Sequence, residues 1–509
     1  MASIPPPRPR PPTRPRRGDR APVASSSVFR RRGRVHGRVI LGAFALIAGC
    51  TKQEGTDAPG AAVPSVVSAP PSAANAPPPA GDPGNVVTAD IQAGIERHIA
   101  EQVKRGDGYF HLKYRKPPAS AGDQPGPEQE LELKLVRVHT EYLSNLGPKS
   151  HFACVDLVDV TGDVFDVDFF LQGDPGAMSV TETTVHKLNG KPFYAWEQHK
   201  VDKTWQRIPV DQAKEVHFGV RRGEDDFEFR YQGTIPELKS GARMWLPVPQ
   251  SDAFQTVTVV SSEAPGTQQR LTDTRHGNQV LLLELSTADS GRSFDLRYRV
   301  HRKEKAAYAS PAPERQYLEP EARVPITDKF REVSAEVTAG KDQALVKARA
   351  LYDHVIDQMK YMKFGDGFGQ GDAVRACGAK SGNCTDYHSY FIALARAAGI
   401  PARFAIGASI PSDRDEGGID GYHCWVEFYA EGKWWPIDIS EADKYTPLST
   451  YYFGHHPANR LELSRGRDLL VDPLPAAGPI NFLAYPVLEV GGESVKAPVT
   501  FSFVRSSST

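Results

Sequence analysis

Three residues in the last third of the chain have the types and spacing to exchange an acyl group. Cys384 lies in SGNCTDYHSYFIALARAAGIPARFAIG (381–407). Gly382 and Asn383 interrupt the structure before it. From Thr385 the apolar residues Phe391, Leu394 and Ala398 recur on one helical face until Gly399. Cys384 is therefore predicted at a helix N-terminus, where unpaired N–H groups and the helix dipole favour an anion. A thiol placed there falls from a pKa of about 8.5 toward neutrality, and the thiolate is the nucleophile. The same N–H groups can receive an oxyanion.

His423 and Asp438 lie in GYHCWVEFYAEGKWWPIDIS (421–440). Two strand-like runs, 423–430 and 433–439, flank Glu431-Gly432. A hairpin turning on those two residues sets Asp438 opposite Trp425, with His423 one diagonal step away at about 7–8 Å. His423, Trp425 and Asp438 then share one face, and Cys424, Val426, Phe428, Ile437 and Ile439 share the other. Parity puts a base beside an orienting carboxylate and turns Cys424 away. In these roles His423 takes the thiol proton, the Cys384 thiolate attacks a carbonyl, and Asp438 holds the imidazole. Trp434 and Trp435 fall on opposite faces, one for the core and one free to line a cleft.

The blocks GNCTDYHSYFIALARAAGIPAR, GYHCWVEFY and WWPIDISEA, in the order Cys, His, Asp, resemble the transglutaminase-like superfamily, and residues 451–486 resemble the tail of its bacterial members. The resemblance implies a papain-like α+β fold. It carries Cys384 over as nucleophile, His423 as general base and acid, and Asp438 as the group that orients the imidazole. It implies a thioester at Cys384 formed from a peptide or protein amide. Water as acceptor makes such an enzyme a peptidase or deamidase, and an amine makes it a transamidase. No cofactor and no calcium site carry over. The aromatic oxyanion donor of animal members has no counterpart in these motifs, which leaves Gln370 and Tyr361 as candidates. Some members have the fold without known activity, so a binding or scaffolding module is the alternative reading.

The other cysteines and histidines read as structure. Cys384 and His388 stand four apart on a helix with Cys377 and Cys424 nearby, but a structural zinc site needs four converging ligands and Cys424 points the wrong way. No metal is expected there, and His388 is read as a helix-face residue near the site. Cys377 could pair with Cys424 and leave Cys384 free, or bridge to Cys384 and silence it. His455-His456 has no partner pattern and is expected to be exposed.

Positioning these residues takes a long chain. Its 509 residues are too many for one ordinary domain. The expected class is multidomain α+β: an N-terminal α+β domain (87–212), a central antiparallel β-sandwich (213–308), the transglutaminase-like domain (309–486) and a C-terminal tail (487–509). In the first, Ile91, Ile95, Ile99 and Val103 make a helix face with Thr88 as N-cap, and strands are expected at 109–114, 131–138, 152–160 and 164–171. Asp156, Asp159, Asp163, Asp166 and Asp168 lack the glycine-bearing loop of a calcium hand and read as a solvated sheet face. Cys154 reads as a buried structural thiol.

Residues 1–50 contain eleven arginines and one acid, Asp19. The formal charge of -1 therefore hides an acidic remainder, which does not fit a nucleic-acid binder. RRRGRVHGR (30–38) followed by the uncharged VILGAFALIAG (39–49) reads as a secretory signal, too short to span a bilayer. Leu46-Ile47-Ala48-Gly49-Cys50 resembles a bacterial lipobox, which implies cleavage before Cys50 and a lipid anchor on its thiol. Thr51 then implies sorting to an outer membrane. Residues 51–86, rich in Pro, Ala, Ser and Gly, read as a flexible tether. The sum is an exported lipoprotein facing the periplasm or anchored at the outer membrane.

Overall fold

The computed structural model describes residues 86–117, 124–147, 149–198 and 205–506. The basic prelude, the apolar run, Cys50 and the tether up to residue 85 lie outside the described residues. Helix α1 (Thr88–Arg105) buries Ile91, Ile95 and Ile99 on one face. Its N-cap is Val87, one residue before the expected Thr88, and Asp90 accepts from the Val87 N–H at 3.0 Å. Antiparallel strands follow: β1 (Phe110–Arg115), β2 (Glu128–Val138), β3 (Ser144–Gly147), β4 (Ser150–Asp159), β5 (Val164–Gln172), β6 (Ser179–Leu188) and β7 (Lys191–Pro192). They pair in the order β1-β2-β4-β5-β6-β7, with β3 on β4, and β8 (Tyr194–Gln198) and β9 (Trp205–Pro209) form a separate ribbon.

Alternation along β4 and β5 gives this sheet two unlike faces. Leu133, Val155, Phe165, Val167 and Phe169 share a core with the isoleucines of α1. Cys154, Asp156, Asp166 and Asp168 point the other way. That face is not solvated: Asp156, Asp166 and Asp168 are 9%, 7% and 0% exposed. It turns toward the C-terminal part of the chain. Around it Arg137 donates to Asp420 at 2.7 Å, Lys191 pairs with Asp443 at 3.0 Å, and Lys360 donates to Asp163 at 2.5 Å.

Residues 213–308 supply β10 (Glu224–Thr234), β11 (Ala242–Val248), β12 (Gln255–Glu263), β13 (Thr267–Thr272), β14 (Gln279–Leu285), β15 (Ser293–Lys303), β16 (Lys305–Ala306) and, at their end, β17 (Tyr308–Ala309). Next come α2 (Asp328–Val337), α3 (Ala344–Gln358), β18 (Lys360–Tyr361), α4 (Ala373–Ala379), β19 (Ser381–Gly382), α5 (Cys384–Ala397), β20 (Ala402–Ser409), β21 (Glu416–Ile419), β22 (His423–Ala430), β23 (Lys433–Ile437) and α6 (Ile439–Lys444). The last strands are β24 (His455–His456), β25 (Arg460–Arg465), β26 (Val487–Val490), β27 (Glu493–Val495) and β28 (Val499–Arg505). Two five-stranded sheets run β12-β15-β10-β28-β21 and β13-β14-β11-β26-β27, and a third runs β17-β23-β22-β20-β25.

Of the expected tail, residues 487–505 are therefore built into the sheets. Phe503 of β28 sits opposite Phe229 of β10, and Leu488 of β26 opposite Met244 of β11. Phe501 and Phe503 are buried on the inner face, a period-two signal present in the sequence. One core runs from Phe227 and Leu283 through Tyr352 and Phe391 to Phe428 and Phe503, so the segments 213–308 and 309–486 are packed as a single interior. Mixed α+β structure, rich in strands, is the outcome.

A buried ion cluster fastens β16 and β17 to the third sheet. Lys305, fully buried, donates to Glu427 of β22 at 2.9 Å. Arg403 of β20 and Tyr308 of β17 donate to the other Glu427 oxygen at 2.8 and 3.1 Å, and the Arg403 guanidinium lies 4.1 Å over Trp434. Removing one charge from such a cluster strands the others without water. Glu427→Gln is expected to lower stability by about 3–5 kcal/mol, read from the urea midpoint of the full chain. An unchanged midpoint would mean that water reaches Lys305 and Arg403.

Candidate active site

Cys384 is the first residue of α5 and only 2% exposed. Asn383 caps the helix, its Oδ1 accepting from the Thr385 N–H at 3.0 Å, and Asp386 returns a bond to the Asn383 N–H at 3.1 Å. This Asn-x-x-Asp box was readable in the sequence as a variant of the usual capping pattern. Asp386 also accepts from the N–H groups of Gly369 and Gly371 at 2.8 and 3.2 Å, binding the glycine loop to the helix start. From the loop's other side Arg467 donates to the carbonyl oxygens of Gly371 and Gln370 at 2.7 and 3.1 Å, and to Ser389 of α5. The chain passes so close that a Cβ at Gly382 would lie 2.3 Å from the Asp386 carboxylate. Neither Asp386 nor Arg467 was singled out by sequence: the box shows Asp386 only as a cap, and the loop that Arg467 holds lies 96 residues away.

His423 opens β22, and Asp438 leaves β23 to become the N-cap of α6. The hairpin has the expected register, with Ala430 opposite Lys433 and Val426 opposite Ile437. His423 Nε2 and Asp438 Oδ2 are 2.6 Å apart. Asp438 Oδ1 accepts from Ser440 Oγ and the Glu441 N–H at 3.1 and 3.2 Å. With Nε2 given to Asp438, His423 Nδ1 is left for Cys384, and imidazolium and thiolate each favour the other's charge. Cys424 lies on the same side, its sulfur 3.4 Å from Nδ1 of His388, one turn along the helix from Cys384.

This placement overturns the parity expectation for Cys424. Helix α5 packs on the face of β22 that carries Cys424 and Phe428, with Phe391 and Phe428 ring centres 6.1 Å apart. Cys384 therefore arrives from the side of Cys424. Both His423 and Asp438 lie beyond the last β22–β23 pair, Val426 with Ile437: His423 is still laddered to Gly407 of β20, whereas Asp438 has left its strand. His388, on α5, locks the arrangement. The Ile439 N–H donates to its Nε2 at 3.0 Å, which leaves the proton on Nδ1, 3.4 Å from the Cys424 sulfur. Burial pushes the His388 imidazole down to about 4, so it stays neutral beside Asp438.

The electrostatics favour a charged pair. Burial opposes the Cys384 thiolate, but hydrogen bonds from Cys424 and His423 and the nearby imidazolium hold Cys384 well below the usual thiol range. Burial likewise opposes the imidazolium, yet Asp438 and Cys384 raise His423 to about 9. Cys424, buried and facing a thiolate, is pushed up and keeps its proton. The four described cysteines, Cys154, Cys377, Cys384 and Cys424, are buried and none is in a disulfide, so neither bridge considered for Cys377 is formed.

A cleft of about 550 Å³ reaches His423. One wall is the polar face of the N-terminal sheet with Tyr194 and Trp196. The other is built from Tyr361, Lys363, Asp420, Tyr422 and Lys444. Tyr361 thus lines the cleft, its ring under the Lys444 ammonium at 3.9 Å. Gln370 is exposed, is absent from the lining and offers its carbonyl to Arg467 and Asn481. Tyr422 stands nearer the helix start than sequence reasoning recognised: its hydroxyl accepts from Asn383 Nδ2 at 3.0 Å. Trp434 and Trp435 are both outside the cleft lining. His456 is fully buried against Trp425, with ring centres 4.2 Å apart, not exposed as expected.

Residues 331–439 match the family model of the transglutaminase-like superfamily, a span that contains Cys384, His423 and Asp438. The chain carries a transglutaminase-like domain. An uncharacterized protein of Haemophilus influenzae is 25% identical over 321 residues, covering 53% of this chain and 87% of that protein. A candidate cysteine protease from Cytophaga hutchinsonii is 16% identical, covering 56% of this chain and 93% of its own, with a TM-score of 0.39. The periplasmic domain of TgpA from Pseudomonas aeruginosa is 18% identical, covering 45% of this chain and 93% of its own, with a TM-score of 0.24.

A preformed thiolate has a signature. Alkylation of Cys384 by iodoacetamide is expected to be nearly flat between about pH 6 and 8, where an ordinary thiol gains roughly tenfold per unit. Cys424→Ala removes an S–H donor to the thiolate and should move the Cys384 profile to higher pH. An unshifted profile would show that the second thiol does not stabilise the first.

Proposed function

We propose that the chain is an acyl-transfer enzyme of the cysteine peptidase or transamidase type, acting on peptide or protein amides through a Cys384 thioester. The observation that carries this reading is the 2.6 Å pair of His423 with Asp438, together with Cys384 at a capped helix start. In the first step the Cys384 sulfur bonds to the amide carbon and the carbonyl oxygen becomes an oxyanion. The Cys384 N–H, the first of α5, is the candidate donor to that charge. The tetrahedral adduct collapses as the C–N bond breaks, and His423 gives its proton to the departing amine. Asp438 supports the imidazolium and holds its tautomer. In the second step His423 takes a proton from water or from an acceptor amine, which attacks the thioester and releases Cys384.

The cleft suits an extended peptide segment: it is long, has aromatic rings on both walls and carries a few charged groups. The same fold without turnover, as a binding or scaffolding module, is the alternative. We further propose export and lipid anchoring at Cys50, on the strength of the basic stretch, the apolar run and the lipobox-like end.

Cys384→Ala is expected to abolish release of ammonia or amine from glutamine-containing and peptide substrates, and Asp438→Asn to lower kcat by about 10³–10⁴-fold as the tautomer is lost. Because His423 must carry a proton to the leaving group, kcat should fall as pH rises through about 9, where the imidazolium is lost. A Cys384→Ala protein as active as its parent would sink the enzyme reading and leave the binding module. For the anchor, Cys50→Ser should end incorporation of labelled palmitate and move the protein from the membrane fraction to the soluble one. Unchanged incorporation would refute anchoring at Cys50.

A further inference from the structure

The polar face of the N-terminal sheet holds a group of side chains that the acyl-transfer reading does not use. Cys154 of β4, Asp166 and Asp168 of β5 and His186 of β6 place one ligand atom each within 4.8 Å of one another. Cys154 lies opposite Asp168 in the β4–β5 ladder. On β6 the register slips between Asp166 and Val167, so that Asp166 pairs with Lys187 and Val167 with Val185. This bulge sends both His186 and Lys187 to the polar face, where strict alternation would have sent one of them into the core.

The hydrogen bonds leave this group unfinished. Cys154 Sγ donates to Asp166 Oδ1 at 2.7 Å, and Lys187 donates to Asp166 Oδ2 at 2.8 Å. Tyr194 Oη and Trp196 Nε1 both donate to Asp168 Oδ2, at 2.8 and 2.9 Å. The other oxygen of Asp168, a residue with no exposed surface, has no hydrogen-bond partner among the described residues. His186 Nε2 lies 3.0 Å from the Tyr194 carbonyl oxygen, which can only accept, so Nε2 carries the proton. The His186 ring is stacked on Tyr194, with ring centres 4.7 Å apart. Its Nδ1 lone pair then faces Asp166 Oδ1 at 3.7 Å and Asp168 Oδ2 at 3.8 Å. Acceptors facing acceptors across a buried gap call for a cation between them.

We propose that Cys154, Asp166, Asp168 and His186 bind a divalent metal ion of the zinc class. A thiolate, an imidazole and carboxylates are the ligands of that class, whereas calcium requires six or more oxygens. The remaining contacts resemble an outer ligand shell: the Tyr194 carbonyl fixes the His186 tautomer, and Tyr194 Oη and Trp196 hold Asp168. Binding displaces the Cys154 proton, so that thiol and M²⁺ become a metal thiolate and H⁺ with no change of oxidation state. The Lys187 ammonium offsets one of the three ligand charges, and the ion offsets the other two. The group sits on the cleft wall across from His423, so the metal would stiffen the surface that a substrate meets.

The test uses the full chain, stripped with chelator and dialysed against Zn²⁺. About one Zn²⁺ per chain is expected by elemental analysis, with the same stoichiometry in Cys384→Ala. Loading with Co²⁺ should give a thiolate-to-cobalt charge-transfer band that is lost in Cys154→Ser. Asp168→Asn and His186→Ala should each weaken Zn²⁺ binding by at least roughly tenfold. The wild-type cobalt spectrum needs no variant to fold. No bound metal, a spectrum without the thiolate band, or a band lost in Cys384→Ala and kept in Cys154→Ser would overturn the proposal.

Discussion

Asp438 is a carboxylate with no exposed surface, and the site depends on keeping it ionised. Burial works against that charge, but the His423 imidazolium, Ser440 Oγ and the Glu441 N–H overcome it, and its pKa stays far below the usual carboxylate range. These same bonds organise three elements. One oxygen fixes the His423 ring at the start of β22. The other begins α6 as its N-cap. The next residue, Ile439, gives its N–H to His388 and so ties α6 to α5, the helix that carries Cys384. Cys384, His423 and Asp438 are thus held by one local network, not by three independent placements.

The thiol end of that network is held by donors rather than by solvent. Cys384 is nearly inaccessible, yet the Cys424 S–H, the His423 ring and the capped start of α5 surround its sulfur with positive partial charge. The glycine loop is fixed against this helix start from two sides, by Asp386 through N–H groups and by Arg467 through carbonyls. Such fixing matters because a helix N-terminus stabilises an anion only where its first N–H groups are held in place. Phe391, Leu394 and their neighbours bury α5 along nearly its whole length, which makes the nucleophile part of the core's rigidity.

The N-terminal sheet gives the site its cleft. One face packs on α1 and the other, polar face looks across at His423 and Tyr422. A sheet with one apolar face and one of acids, histidines and a thiol makes sense beside a partner, and here the partner lies in the same chain. The ion pairs of Arg137 with Asp420 and of Lys191 with Asp443 join the two walls.

Much of this was legible in one dimension. The period of four in α1, the alternation in β5 and β15, the register of the β22–β23 hairpin and the helix start at Cys384 all follow from local spacing, because a residue's face is set by backbone geometry alone. That Cys384, His423 and Asp438 form one site follows from residue type and order. Tertiary structure decided the rest. Alternation told which residues share a face but not what that face would meet, so Asp166 and Asp168 were assigned to solvent and are buried. Parity held for Cys424 within its strand yet misjudged its neighbour, because which face of the sheet α5 covers is set by packing. The role of residues 487–505 was lost for a similar reason: pairing of β28 with β10 joins residues nearly three hundred positions apart, and no local pattern carries that information.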